Sequence, residues 1–201
     1  MAKQPTTERG RKTRRRIVVA ATQVVAEKGV AGASLDEVGA RAFTSRGQMY
    51  HYFADKDELL RAVAEATSDA VLGGQHDLFD GFGSWAGLTR WTDGLVEMQE
   101  RLGARGGCPI ANLVSQVGER DEEIRVELAS GFDRWQAEIR AGLASMVASG
   151  ELQPETDIDW LASSTLASLQ GGLMLTQAHR DPRALRRALD GALALIATFR
   201  R

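Results

Sequence analysis

Apolar residues recur three and four positions apart along most of the chain, and runs alternating apolar and polar at every second residue are missing. That period belongs to helices, so it predicts an all-α fold with almost no strand. From Arg14 to Lys28 the positions Ile17, Val18, Ala21, Val24 and Val25 form one apolar stripe, and Gly29 is placed to stop the helix. Ser34 followed by Glu37 has the spacing of a capping box and opens a helix of about two turns through Ala42, with Leu35 and Val38 facing inward. Thr44 or Ser45 can cap a third short helix carrying Met49, Tyr50 and Phe53. Asp55 caps a fourth that starts at Lys56 and contains Leu59, Leu60, Val63 and Ala64.

The glycine-rich stretch from Gly73 to Gly87 reads as a loop or boundary. Beyond it the pattern predicts helices at 84–104, 109–118, 121–149, 157–179 and 182–199, for about nine in all. Gly150 and Pro154 mark one junction, and Asp181 with Pro182 opens the last helix. The 157–179 helix is apolar or small nearly all round, which a helix tolerates only when covered on both sides. A second copy of the chain is the expected cover. Ser168, Gly171 and Gly172 would allow close approach, and Leu185, Leu189, Ala192, Leu193 and Ile196 give the last helix a matching stripe, so a four-helix homodimer interface is expected.

Composition narrows the class. With 201 residues and 43% hydrophobic content the chain can bury a real core. The longest uncharged stretch, 161–178, is broken by Ser163, Ser164, Thr165, Ser168, Gln170, Thr176 and Gln177, so no membrane span is expected. A single cysteine and the lack of an apolar signal segment in the first thirty residues point to a reducing cytoplasm. The net charge of −2 hides a lopsided distribution. Residues 1–16 hold Lys3, Arg9, Arg11, Lys12, Arg14, Arg15 and Arg16 against Glu8 alone, while the chain beyond residue 61 is acidic. A basic end on an acidic body suits a protein that presents that end to phosphate.

The short second and third helices have the makings of a helix-turn-helix. Two such helices crossing steeply need a small residue at the crossing, apolar residues to hold the second helix down and polar residues facing out. Gly39 supplies the first, and Val38, Ala42 and Met49 the second. Arg46, Gln48, Tyr50 and His51 remain for the outer face. Arg46 suits guanine or phosphate, Gln48 suits adenine, and Tyr50 and His51 suit phosphate oxygens. Ser34 and Lys56, near helix starts, are further phosphate candidates. Phe53 and Tyr52 read as core aromatics.

The segments SLDEVGARA at 34–42 and SRGQMYHYFADKDELL at 45–60 resemble the TetR family of repressors. The resemblance implies a three-helix DNA-binding domain, a connecting helix, and a larger helical domain that dimerises and binds an inducer. It also implies DNA contacts at Ser34, Thr44, Ser45, Arg46, Gln48, Tyr50, His51 and Lys56. One position departs: Phe43 stands where the family usually has a turn glycine. A left-handed backbone there would be strained, so either the turn is adjusted or Phe43 gains burial.

The expected organisation is a disordered basic arm at 1–11, a helix-turn-helix domain at 12–54, and a helical ligand-binding and dimerisation domain at 55–201. All four tryptophans, with Met98, Met146 and Met174, lie in that last region. Large aromatics and pliable methionines make adaptable apolar pockets, and Trp91, Met98, Cys108, Trp135, Met146, Leu166, Gln170 and Met174 are the expected lining. The stretch GGCPIANL at 106–113 and the following helix resemble the LmrA- and YxaF-like subgroup, which implies planar aromatic or drug-like inducers. Catalysis is not expected: His51, His76 and His179 have no metal-ligand spacing, and neither a nucleophile elbow nor a dinucleotide fingerprint is present, so no cofactor is expected. The sum is a ligand-responsive, sequence-specific regulator, released as a homodimer from an inverted-repeat DNA operator by a small apolar or aromatic inducer. A ligand-binding protein that has lost DNA binding is the rival reading.

Overall fold

A computed structural model describes residues 5–117 and 121–201. Lys3 of the basic arm and residue 118, the expected end of one helix, lie outside the described residues. Among the described residues there are ten helices: α1 (Glu8–Gly32), α2 (Leu35–Arg41), α3 (Arg46–Tyr52), α4 (Lys56–Gly73), α5 (His76–Phe79), α6 (Trp85–Arg101), α7 (Pro109–Val117), α8 (Glu122–Ala148), α9 (Ile158–His179) and α10 (Arg183–Ala197). The β pairing described is an isolated bridge between Leu152 and Arg200.

α1 begins earlier than expected, so Glu8 to Arg11 of the predicted arm are helical. Thr7 explains the early start: its hydroxyl accepts from the Gly10 amide at 3.1 Å and satisfies one orphan donor of the first turn. Gly29 does break the helix, at φ 73° and ψ 170°, although helical geometry resumes briefly to Gly32. The other departure is α5, a single turn inside the expected glycine-rich loop.

Two compact units result, one of Met1–Val71 with Asn112–Gly131, the other of Leu72–Ala111 with Phe132–Arg201. This differs from the expected division after residue 54, for reasons visible in the first unit. α4 buries Leu59, Leu60, Val63 and Ala64 there. The Gln116 side chain accepts from the Val30 amide at 2.7 Å beside the Gly29 break, and Arg61 pairs with Glu123 at 2.8 Å. The unit's core is Ile17, Ala21, Val24, Val38, Ala42, Met49, Phe53 and Val63, all buried.

In the second unit α10 packs along α9 and against α6. Here the predicted dimer residues need correction. Gly172, Leu185, Leu189 and Ile196 are buried within the chain itself. A Cβ on Gly172 would stand 2.9 Å from both the Ala188 Cβ and the Leu185 Cδ1, so the close approach Gly172 permits is to α10 of its own chain. The stripe on α10 is used up in this way. Gly171 is exposed, and a Cβ added there would meet nothing within 4 Å, while Ser168 and Leu193 are half-buried.

Gly172→Ala is expected to destabilise the chain by about 1–3 kcal/mol, the usual cost of overpacking, and to lower the thermal midpoint by several degrees. An unchanged midpoint would contradict this packing.

Candidate nucleic-acid interface

α2 and α3 cross at Gly39, where an added Cβ would lie 3.3 Å from the Thr44 carbonyl oxygen and 3.5 Å from the Met49 Cγ. That closeness lets Met49 and Phe53 sink into the core, and the Arg14 guanidinium sits 5.1 Å over the Phe53 ring. With those residues facing in, the helical period turns Arg46, Gln48, Tyr50 and His51 outward, and all four are exposed. Tyr50 is 48% exposed, as a DNA-facing residue would be and a core aromatic would not.

The turn between the helices is a Schellman motif. The Phe43 amide donates to the Ala40 carbonyl at 3.2 Å and the Thr44 amide to the Gly39 carbonyl at 2.9 Å. The residue at its left-handed position is Phe43, with φ 50°. Neither relief anticipated from the sequence is present: the turn keeps its left-handed form, and Phe43 is 86% exposed. The conformation costs roughly 1–2 kcal/mol for a residue with a Cβ.

The remaining expected contacts divide. Ser34 caps α2, accepting from the Glu37 amide at 3.2 Å, while the Glu37 carboxylate pairs with Lys28 at 2.8 Å instead of completing the box. The full capping box is on α3, where Ser45 accepts from the Gln48 amide at 3.3 Å and the Gln48 Oε1 accepts from the Ser45 amide at 3.0 Å. The Gln48 Oε1 is thus partly engaged by the cap, while its second lone pair and its NH2 group keep the acceptor and donor that adenine pairing needs. Lys56 is likewise engaged, its ammonium donating to the Val30 carbonyl at 2.7 Å. The Thr44 hydroxyl donates to the Gly39 carbonyl at 3.3 Å and stays half-buried. The His51 ring meets Tyr52 edge-on at 5.0 Å.

Arg46 keeps a purely external setting. Its guanidinium lies beside the Tyr50 side chain and 3.9 Å from Asp36, and both neighbours push its already high pKa further up. Within the basic run, Arg16 donates to the Ala42 carbonyl at 2.7 Å, and Arg9, Lys12 and Arg15 are exposed on α1. A capped helix with an exposed arginine, tyrosine and histidine, next to a cationic helix, is suited to phosphate and base edges.

Residues 17–63 match the family described as bacterial regulatory proteins, tetR family, and residues 86–192 match the tetracyclin repressor-like C-terminal domain. The chain belongs to the TetR family. An uncharacterised HTH-type transcriptional regulator from Lactococcus lactis is 28% identical, covering 90% of this chain and 91% of its own. The HTH-type transcriptional repressor DhaR of Mycobacterium sp. is 23% identical over 91% of this chain and 89% of its own. A TetR transcriptional regulator from Chloroflexus aurantiacus superposes with a TM-score of 0.79 at 25% identity, covering 97% of this chain and 99% of that one. TetR-family regulators bind DNA and form dimers.

In the second unit of this TetR-family chain, Trp91, Cys108, Trp135, Met146 and Leu166 are buried, Met98 and Gln170 are half-buried, and Met174 is 68% exposed. Met174 is thus corrected as a lining residue: it lies on the outward face of α9, with Gly171 and Leu175. Trp91 is held by packing, stacked on Phe79 at 5.9 Å, edge-on to Phe82 at 5.1 Å, and donating through Nε1 to the Gln75 Oε1 at 3.2 Å. Burial pushes the Cys108 thiol up, so it rests protonated. An open cleft of about 700 Å³ beside α5 is lined by Leu72, His76, Phe79, Asp80 and Glu138, none of them an expected pocket residue. Sequence reasoning missed Gln99, whose Oε1 is buried with no hydrogen-bond partner, as is the Trp135 Nε1.

Phe43→Gly is expected to stabilise the fold by about 0.5–1 kcal/mol, because relief of the left-handed strain exceeds the extra chain entropy of glycine. Thermal unfolding checks this through a midpoint a few degrees higher; a lower midpoint would contradict the strained turn.

Proposed function

We propose that the chain is a sequence-specific transcriptional regulator that acts in the cytoplasm as a homodimer, repressing from an inverted-repeat DNA operator until a small apolar or aromatic inducer releases it. The observation that carries the reading is the outer face of α3, where Arg46, Tyr50 and His51 are exposed on a helix whose start is locked by the Ser45–Gln48 box. Arg46 is the residue for guanine or phosphate, and Tyr50 and His51 are phosphate donors. Ser34, Thr44, Ser45 and Lys56 act as positioning groups, through helix-start amides or hydroxyls more than through base reading. The relative named as a repressor favours repression over activation.

Dimerisation is supported by the outward face of α9, where Met174 and Leu175 are exposed beside Gly171 and Trp160 is exposed about three turns earlier. Large apolar side chains left exposed along one helix are candidates for burial by a partner. Ser168 and Leu193 stay in that interface; Gly172, Leu185, Leu189 and Ile196 support it from beneath.

Ligand response is supported by the buried Trp135 Nε1 and Gln99 Oε1, a donor and an acceptor without partners. An unmet buried polar group costs about 1–3 kcal/mol, and an inducer with an apolar body and a complementary polar atom would relieve that cost at whichever of the two it reaches. The likeness of 106–113 to the LmrA- and YxaF-like subgroup makes planar aromatic molecules the first to screen. α4 is a covalent route for the signal, since Lys56–Val71 belongs to one unit and Leu72 and Gly73 to the other. A coupling of about 1–3 kcal/mol would weaken DNA binding about 5- to 150-fold.

Selection from a random duplex library near physiological salt tests the reading. The wild type is expected to enrich an inverted repeat that an Arg46→Ala, Tyr50→Ala double variant does not. Enrichment of nothing by either protein would leave a ligand-binding protein without DNA activity.

A further inference from the structure

Phe43 presents three facts together. Its ring is 86% exposed, its backbone is left-handed at φ 50°, and it stands two residues before Ser45, the cap of α3. The strain is not an accident of a loose loop. The Ala42 amide donates to the Val38 carbonyl at 2.8 Å, the Phe43 and Thr44 amides close the Schellman turn, and Arg16 clamps the Ala42 carbonyl at 2.7 Å. A strained conformation persists where its surroundings over-determine it, and such positions cluster at binding sites. Glycine would suit the turn better and would not place an apolar ring in water.

The ring's surroundings narrow what it can meet. In a helix-turn-helix the start of the second helix approaches base edges in the major groove, and Phe43 lies in the turn three residues before Arg46, where α3 starts. Arg46, three residues on, and Tyr50, one turn further along α3, are the groups suited to phosphate and guanine. A phenyl ring has neither donor nor acceptor for either purpose. Among the groups that base pairs present in the major groove, the apolar one is the 5-methyl of thymine.

We propose that Phe43 is a specificity residue whose ring packs against a thymine 5-methyl group in each operator half-site. The inference rests on the DNA-binding reading above. It adds an apolar reader in the turn, outside the polar face of α3, and it accounts for a costly residue at a glycine position.

The test uses the duplex enriched by the wild type, with each thymine replaced in turn by uracil, symmetrically in both half-sites, so that only the methyl group is removed. Affinity is measured by fluorescence anisotropy for the wild-type dimer and for Phe43→Gly. One uracil position is expected to weaken wild-type binding by about tenfold, the scale of removing one apolar base interaction from each half-site. Phe43→Gly is expected to bind the unmodified duplex about tenfold more weakly and to be indifferent to uracil at that position. Its salt dependence should match the wild type, because every phosphate interaction remains. A wild type indifferent to every uracil, or a Phe43→Gly variant as sensitive as the wild type, would overturn the proposal and leave the regulator intact. Enrichment of no duplex by the wild type would overturn the DNA-binding reading, and this one with it.

Discussion

The N-terminal unit depends on how closely two short helices can cross. At Gly39 an added methyl group would press on the Thr44 carbonyl at 3.3 Å and touch Met49 at 3.5 Å, so the crossing is tight enough to favour a residue without a side chain. Everything about the outer face follows from that. Once Met49 and Phe53 are drawn in, the period of α3 decides which residues face out, and Arg46, Tyr50 and His51 are placed by geometry as much as by their own preferences. The same closeness shortens the connection to a turn that only a left-handed residue can make, and that residue is Phe43.

Polar side chains in this unit serve two masters. A short helix has few internal hydrogen bonds and many orphan amides, so its caps must be met locally. Ser45 and Gln48 meet them for α3, Ser34 and Asp55 for α2 and α4. Lys56 and Arg16 tie carbonyls at Val30 and Ala42. Each group so used has less to offer a nucleic acid, and the recognition chemistry contracts to residues without an internal partner of high value. Arg46 fits that description, because a 3.9 Å pairing with Asp36 in open solvent is weak and easily exchanged for phosphate.

Helix content, the caps at Ser34 and Asp55, the break at Gly29 and the crossing at Gly39 were legible because each follows from a local rule. The box on α3 was legible too, since Ser45 and Gln48 carry the spacing, yet reading Gln48 for adenine obscured it. α5 was hidden between glycines that signal a loop, and a single turn has no period to detect. The α9 and α10 residues mark the limit of pattern reading. Periodicity shows that Gly172, Leu185, Leu189 and Ile196 are covered, and cannot say whether the cover is the same chain or another. Met174 failed as a pocket residue for a related reason: α9 is apolar all round, so composition could not tell its inner from its outer face. Gln99 gave no signal at all, because a buried amide without a partner looks in sequence like any surface glutamine.

Entry of α3 into the major groove of DNA would shield guanine N7 from methylation. On a duplex bound by the protein, methylation footprinting is expected to show two clusters of N7 protection about one helical turn apart on one face, the spacing of paired recognition helices. Protection spread evenly along the duplex, or none at N7 while the minor groove is shielded, would contradict it.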